Sequence, residues 1–408
     1  MPSFSIALSG LQADSIALSA IGNNLANLNT TAYKKQEANF SDMFYQSVGT
    51  SGSSAPIQVG IGTRVSSVSS DFSQGNLTST GVATDMAING SGFFVVQQDG
   101  TNELTRTGDF QLSDSGDLIT NDGYAVMGYP SVNGTVDTNA PLVPMNVPTA
   151  KTQLAHATTG FSFTTSLDAS AAVGSTYTSS TAMYDSQGTA HTVSVKFTKT
   201  GSNEWSYDVE MPSGDAATTS NNTGTLQFNA DGTLATPSGN VTGITFAGLA
   251  DGASDLSMNW SLRDAGGNSL VTQSAGASST NASAQDGYAA GAYKSFSVDA
   301  NGVMRATYTN GGTEVLGQIA IATVASPESL GRLGGNLYAA NEASGAMDIG
   351  VAGAGSRGSI TGSTLEQSNV DISTEFANLI VAQRSFEANS KTVTAFDTIT
   401  QDTINMIR

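Results

Sequence analysis

The sequence predicts a mainly β chain with long α-helical termini, built as a nested multidomain protein, and three observations predict it. Read in steps of seven, the last stretch gives Ile372, Leu379, Phe386, Val393, Thr400 and Ile407, an apolar stripe broken once by threonine, and residues 373–407 hold no proline or glycine. That period describes a long amphipathic helix with a narrow seam. The first residues repeat it, with Phe4, Leu11, Leu18 and Leu25 on one series and Ala7, Ile21 and Leu28 three residues later. Between these ends the chain is rich in Gly, Ser, Thr and Asn, a composition of turns and short strands.

At 408 residues the chain is too long for one compact core and implies two or three domains. Charged residues make up 12% and the formal net charge is −19. An acidic chain of this kind has no clustered Lys and Arg to meet phosphates, so no nucleic-acid partner is expected. The absence of cysteine excludes disulfides and thiolate metal sites. No segment approaches the roughly 20 continuous apolar residues of a membrane span, so no membrane insertion is expected. The N-terminus also lacks a secretory signal's pattern, having no basic residue before Lys34 and an apolar run interrupted by Ser9, Gly10, Gln12 and Asp14. Low charge and Ser/Thr/Gly/Asn richness are nonetheless the habit of exposed extracellular β proteins; both hold if export cleaves nothing.

In chain order, residues 4–28 read as a helix that Asn27, Asn29, Thr30 and Thr31 terminate. Asp14 is its one charge. Its Ser, Asn and Gln face therefore meets protein, either its own domain or another copy; self-association is the preferred reading, because no globular partner adjoins it in sequence. Residues 31–70 connect, and Gly60-Ile-Gly-Thr-Arg64 lacks the third glycine and the Lys-Ser/Thr ending of a phosphate loop. Residues 71–148 show strands such as Phe93–Val96 joined by Asp99-Gly100, Ser115-Gly116 and Asp122-Gly123, which is hairpin chemistry. Pro141, Pro144 and Pro148 mark a boundary.

Residues 149–288 alternate at Val193/Val195/Phe197, Trp205/Tyr207/Val209, Ile244/Phe246 and Met258/Trp260/Leu262. The strand pattern of 71–148 resumes over 289–358, with a hairpin at Asn301-Gly302. The economical topology has terminal helices (1–30 and 371–408) together, connecting segments 31–70 and 359–370, a β domain from 71–148 and 289–358, and 149–288 as an inserted second β domain.

Candidate chemistry is sparse. Asp114-Ser-Gly-Asp117 and Asp299-Ala-Asn-Gly302 are hairpin turns, because no closing glutamate gives calcium-loop spacing. His156 and His191 sit in Ser/Thr-rich stretches without nucleophile-elbow glycines. No catalytic residue, cofactor or metal is expected. The helical seams are stronger. Asp371 and Ser373 are possible N-caps, with Glu375 in the first turn where a negative charge suits the dipole. Arg384, Glu387, Lys391, Asp397 and Asp402 fall mostly off the apolar series. A helix over 373–407 is a rod of roughly 50 Å, too long for neighbouring short strands to cover its seam. It must pair with the N-terminal helix, with copies of itself, or with both.

Several runs resemble the bacterial flagellar rod and hook family. Leu8-Ser-Gly-Leu-Gln-Ala13, Ile21-Gly-Asn-Asn-Leu-Ala-Asn-Leu-Asn-Thr30 and Tyr33-Lys34 are similar to its N-terminal signature. Asp85-Met-Ala-Ile-Asn-Gly-Ser-Gly-Phe-Phe-Val95 and Thr105-Arg-Thr-Gly-Asp-Phe110 resemble its β-domain motif. Leu365-Glu-Gln-Ser-Asn-Val-Asp371 and Ala382-Gln-Arg-Ser-Phe-Glu-Ala-Asn389 resemble its C-terminal signature. One departure is Ala32, where the family usually has glycine before the aromatic residue.

The resemblance implies a non-enzymatic subunit that polymerises into a short, curved, hollow tube outside the cell, passing motor torque to the filament. It also implies a homopolymer that meets rod and hook–filament junction proteins, a cap and the flagellar export apparatus, with paired coiled-coil terminal helices inside and 149–288 outermost. The residues assigned to self-association are Phe4, Leu8, Leu11, Leu18, Ile21, Asn24, Leu25, Asn27, Leu28 and Asn29, and on the last helix Ile372, Phe376, Leu379, Ile380, Phe386, Val393, Ile404 and Ile407. The alternatives are a distal rod subunit of the same family and a secreted β-rich adhesin.

Overall fold

A computed structural model describes residues 2–50 and 56–406. The chain is mainly β, with one helix at each end and several separate sheets. It divides into two compact units, the first from 1–148, 295–306 and 314–408, the second from 149–294 and 307–313.

In the first unit, α1 spans Pro2–Ala26 and α2 spans Ile372–Met406. Asp371 is the N-cap of α2: its Oδ1 accepts the Thr374 N–H at 2.7 Å, satisfying one of the helix's orphan donors. The chain leaves α1 through a turn and enters an antiparallel pair, Gln36–Asp42 with Thr63–Ser70, bulged at Asn39/Phe40. A second pair, Tyr45–Thr50 with Pro56–Gly60, continues it.

The first unit's main sheet centres on Phe93–Gln98. That strand pairs with Thr101–Thr105 across Asp99-Gly100, with Ala125–Val132, and with Thr313–Thr323 at Ile321↔Phe94. Asp99 (φ 51°) and Gly100 (φ 82°) are both left-handed, which a two-residue hairpin turn requires. Early and late chain also meet directly: Leu77–Ser79 pairs with Thr364–Glu366, and Met86–Asn89 with Ser359–Gly362. Gly108 is needed where the Thr105–Phe110 run crosses Met86, since its carbonyl accepts the Met86 N–H at 2.9 Å and any Cβ would strike Met86 O.

The second unit is two sheets face to face. One runs Ala216–Ser220, Val241–Leu249, Leu256–Ser261, Gly160–Asp168, Val271–Ser274, with Ser279–Gln285 also on Gly160–Asp168. The other runs Thr176–Tyr184, Ala190–Gly201, Glu204–Glu210, Thr223–Phe228, Leu234–Thr236. The strict alternation read in the sequence is the period-2 burial of these strands: Val193, Val195, Phe197, Trp205, Tyr207, Val209, Ile244, Phe246, Met258 and Trp260 all point inward. Trp260 sits at the centre, stacked on Phe161 at 6.0 Å and edge-on to Tyr207 at 5.2 Å.

Candidate assembly site at the chain termini

The site is built on a nearly uncharged helix. Among the described residues of α1 the buried ones are Ala7, Gly10, Ala13, Ala20 and Asn24. Most are small, and small residues allow close backbone approach: a Cβ on Gly10 would lie 2.7 Å from Asn389 Nδ2 on α2. Asn389 in turn donates to Asp14 Oδ2 at 2.8 Å, so the one charge of α1 is spent on α2. On its other side α1 meets the connecting pair, where Ser9 Oγ accepts the Thr63 N–H at 3.2 Å.

The series Phe4, Leu11, Leu18, Leu25 is therefore not the buried seam. Phe4 and Leu8 are exposed, while Leu11, Leu18, Ile21, Leu25 and Leu28 are half-buried. On α2, Leu379, Val393 and Thr400 are half-buried, whereas Ile372, Phe376, Ile380, Phe386 and Ile404 are exposed. Ile407 lies outside the described residues. Phe4 with Phe396, Ile399, Thr400, Thr403 and Ile404 lines a largely apolar groove of about 730 Å³ near the outer end of the two helices.

Composition alone also calls for a correction. The Phe4–Ala26 segment is long and apolar enough to cross a membrane, against the expectation that no segment approaches that character. Its leucines, isoleucines and alanines carry the average while its serines and asparagines interrupt every long apolar run, which is why the residue-by-residue count missed it.

Where the helices join the β structure, the signature residues form a polar lock. Asn24 is a correction to the assembly list, because its side chain is turned inward: Oδ1 accepts from Gln36 N at 2.8 Å and from the Tyr33 hydroxyl at 3.2 Å, and Nδ2 donates to Gln36 O at 2.9 Å. Asn27 closes the end of α1, donating to Asn23 O at 2.9 Å and accepting from Thr30 Oγ1 at 3.1 Å, and Asn29 is exposed. Ala32 then adopts φ 53°, a left-handed turn in which glycine would be unstrained, and its N–H reaches Glu366 O at 2.8 Å.

Lys34 follows, wholly buried, with Nζ donating to Glu366 Oε1 at 2.7 Å and to Ser73 O at 2.7 Å. Glu366 Oε1 also accepts the Gly75 N–H at 2.8 Å, and Arg106 Nη1 stands 3.9 Å from Glu366 Oε2. Asn369 completes the lock, accepting from Lys35 N at 2.8 Å and donating to Asp71 O at 2.9 Å. Burial pulls the Lys34 ammonium below its ordinary value against the attraction of Glu366, and burial likewise lowers Arg106. Burial pushes the nearby Tyr338 phenol up to about 12.

Sequence reasoning quoted Glu366, Asn369 and Arg106 within motifs but gave them no role. The signal available was a charged residue in each motif of a chain that uses charge sparingly.

In the second unit, His191 Nε2 lies 3.1 Å from Asp185 Oδ2 and 3.3 Å from Asp251 Oδ2. Asp185 Oδ1 is also bonded by the N–H groups of Gln187 and Thr189, so the cluster saturates itself from within.

Comparison with known proteins places the chain in a family. Residues 4–34 match the family described as flagella basal body rod protein, and 87–161 the flagellar hook protein FlgE/F/G D1 domain. Residues 157–288 match the flagellar basal body protein FlaE D2 domain, and 362–406 the flagellar basal body rod FlgEFG protein C-terminal family. The chain is 35% identical to the flagellar hook protein FlgE of Salmonella typhimurium over 99% of its own length and 100% of the relative's. It is 34% identical to that of Escherichia coli K12 over 99% of each chain, and 30% identical to that of Treponema pallidum over 98% of each. In fold it is similar to the crystal structure of Helicobacter pylori flagellar hook protein FlgE2, with TM-score 0.53 and 14% identity, over 69% of this chain and 98% of that one. The chain belongs to the flagellar hook protein family.

Proposed function

We propose that the chain is the structural subunit of a flagellar hook, polymerising into a curved, hollow tube that transmits motor torque to the filament. The observation that carries this reading is the apolar face that both terminal helices leave open. Phe4, Leu8 and Ile16 of α1 and Ile372, Phe376, Ile380, Val381, Ile399 and Ile404 of α2 are exposed in a single copy. Burying one such side chain fully is worth about 1.5–3 kcal/mol, so a face of this size favours contact with other copies.

In the polymer the terminal helices act as a paired, coiled-coil layer around the channel. Contacts between copies are heterologous and do not close, which generates a helical polymer rather than a ring. The subunit works as an extracellular component of the hook and basal body. It meets rod proteins, junction proteins, the cap and the export apparatus, and works without a cofactor. The distal-rod and adhesin alternatives are not favoured, since the full-length relatives carry the hook description.

The test is a chain lacking residues 1–28 and 373–408, examined by electron microscopy beside the intact chain. The truncated chain should remain a soluble, folded β monomer and form no tubes. Tubes from the truncated chain would sink the reading, and straight, rigid tubes from the intact chain would favour a rod subunit.

A further inference from the structure

We infer that His191 is an imidazolium pin that fastens the two sheets of the second unit at one end and releases them as pH rises. His191 opens the strand Ala190–Gly201, in the five-stranded sheet. Asp185 lies in the turn just before that strand. Asp215 immediately precedes Ala216–Ser220, and Asp251 follows Val241–Leu249, neighbouring strands of the opposite sheet. The ring thus stands between carboxylates from both sheets: Nε2 is 3.1 Å from Asp185 Oδ2 and 3.3 Å from Asp251 Oδ2, and Nδ1 is 3.6 Å from Asp215 Oδ2.

A neutral imidazole carries one N–H, so one ring nitrogen would turn a lone pair toward a carboxylate. The imidazolium alone presents N–H to both sides, and its charge offsets three acidic groups gathered around a largely buried ring. Asp185, Asp215 and Asp251 are the charged groups that face it. A Ser254 N–H donating to Ser186 Oγ at 3.0 Å joins the same loops without charge.

Burial by itself would lower the His191 pKa, but the bonds and charges of Asp185, Asp251 and Asp215 outweigh it and hold the ring above its ordinary 6.5. A raised pKa gives stability that is fully present below 6.5 and lost as pH climbs through the folded value. Burial likewise works to raise Asp185, yet its contact with Asp251 and the N–H groups of His191, Thr189 and Gln187 hold it well below 3.8. Its contribution is full above 3.8 and lost as pH falls through that lower value. The pin is therefore complete between these limits and opens first on the alkaline side.

The test follows the ring by NMR in the full-length dissociated subunit, where two histidines occur and His156→Gln assigns the other. Hydrogen exchange of peptides covering 215–220 and 245–255 is measured in parallel, corrected for the intrinsic rate at each pH. The expected result is a His191 midpoint above 6.5, with protection of both peptides lost through that midpoint, and His191→Gln unprotected at every pH while Trp205 and Trp260 fluorescence stays native. A midpoint at or below 6.5, or protection indifferent to pH, would overturn the pin. A chelator that removes the protection would overturn it too, by making a bound cation the fastener.

Discussion

Trp260 in the second unit is wholly buried among Phe161, Phe197 and Tyr207, whereas Phe376, Ile380 and Val381 of α2 stand at least half exposed. The two regions spend their apolar residues differently. The sandwich encloses its largest side chains between two sheets of one chain, so its stability is complete in a single copy. The first helix buries small residues, Ala7, Gly10, Ala13 and Ala20, with Gly10 against Asn389 of the second, and both helices leave larger ones exposed. Apolar side chains in this chain therefore mark two things: a finished core where strands alternate, and an unfinished surface along the terminal helices.

The contrast can be broken at either pole. Trp260→Ala removes the centre of the sandwich core and should destabilise the second unit by about 3–5 kcal/mol. The remaining Trp205, also in that unit, reports its unfolding in denaturant by fluorescence. Unchanged stability would mean that the sandwich is not the closed core described above. Glu366→Ala strips the acceptor from buried Lys34 and leaves Arg106 uncompensated, which should cost the first unit about 3–5 kcal/mol. Far-UV circular dichroism of the helices is the readout, and tryptophan fluorescence of the second unit should not move.

Smaller in stability, though larger in consequence, is Phe376→Ser combined with Ile380→Ser. Both side chains are exposed in one copy, so the monomer should change by no more than about 0.5 kcal/mol while tube formation is lost in sedimentation assays. Monomer unfolding without loss of tubes would reverse the reading of α2. Smallest is Ala32→Gly, which relieves a left-handed alanine but gives up a buried methyl and stiffness in the unfolded chain. The net gain should be no more than about 1 kcal/mol. A thermal melt showing a clear loss would mean that packing of the methyl outweighs the strain.

Local signals were read well and distant ones poorly, for a physical reason. Asp99-Gly100, Asp122-Gly123 and Asn301-Gly302 all lie in turns, because a turn is specified by its own residues. Helix ends and strand alternation were legible on the same ground. The inner face of α1 was not, since a search for large apolar residues passes over alanine and glycine. Lys34 and Glu366 stand 332 residues apart, and no spacing rule connects them. His191 was set aside as lacking a catalytic neighbourhood, yet its partners Asp215 and Asp251 arrive from the opposite sheet.

The lock around Lys34 has a consequence for the life of the chain. Its acceptor, Glu366, lies near the far end of the 408-residue sequence, so a product that ends early leaves the Lys34 ammonium and the Gly75 N–H with no carboxylate to receive them. The junction acts as a check on completeness: a chain earns a stable base for its first helix only once its own far end has been delivered.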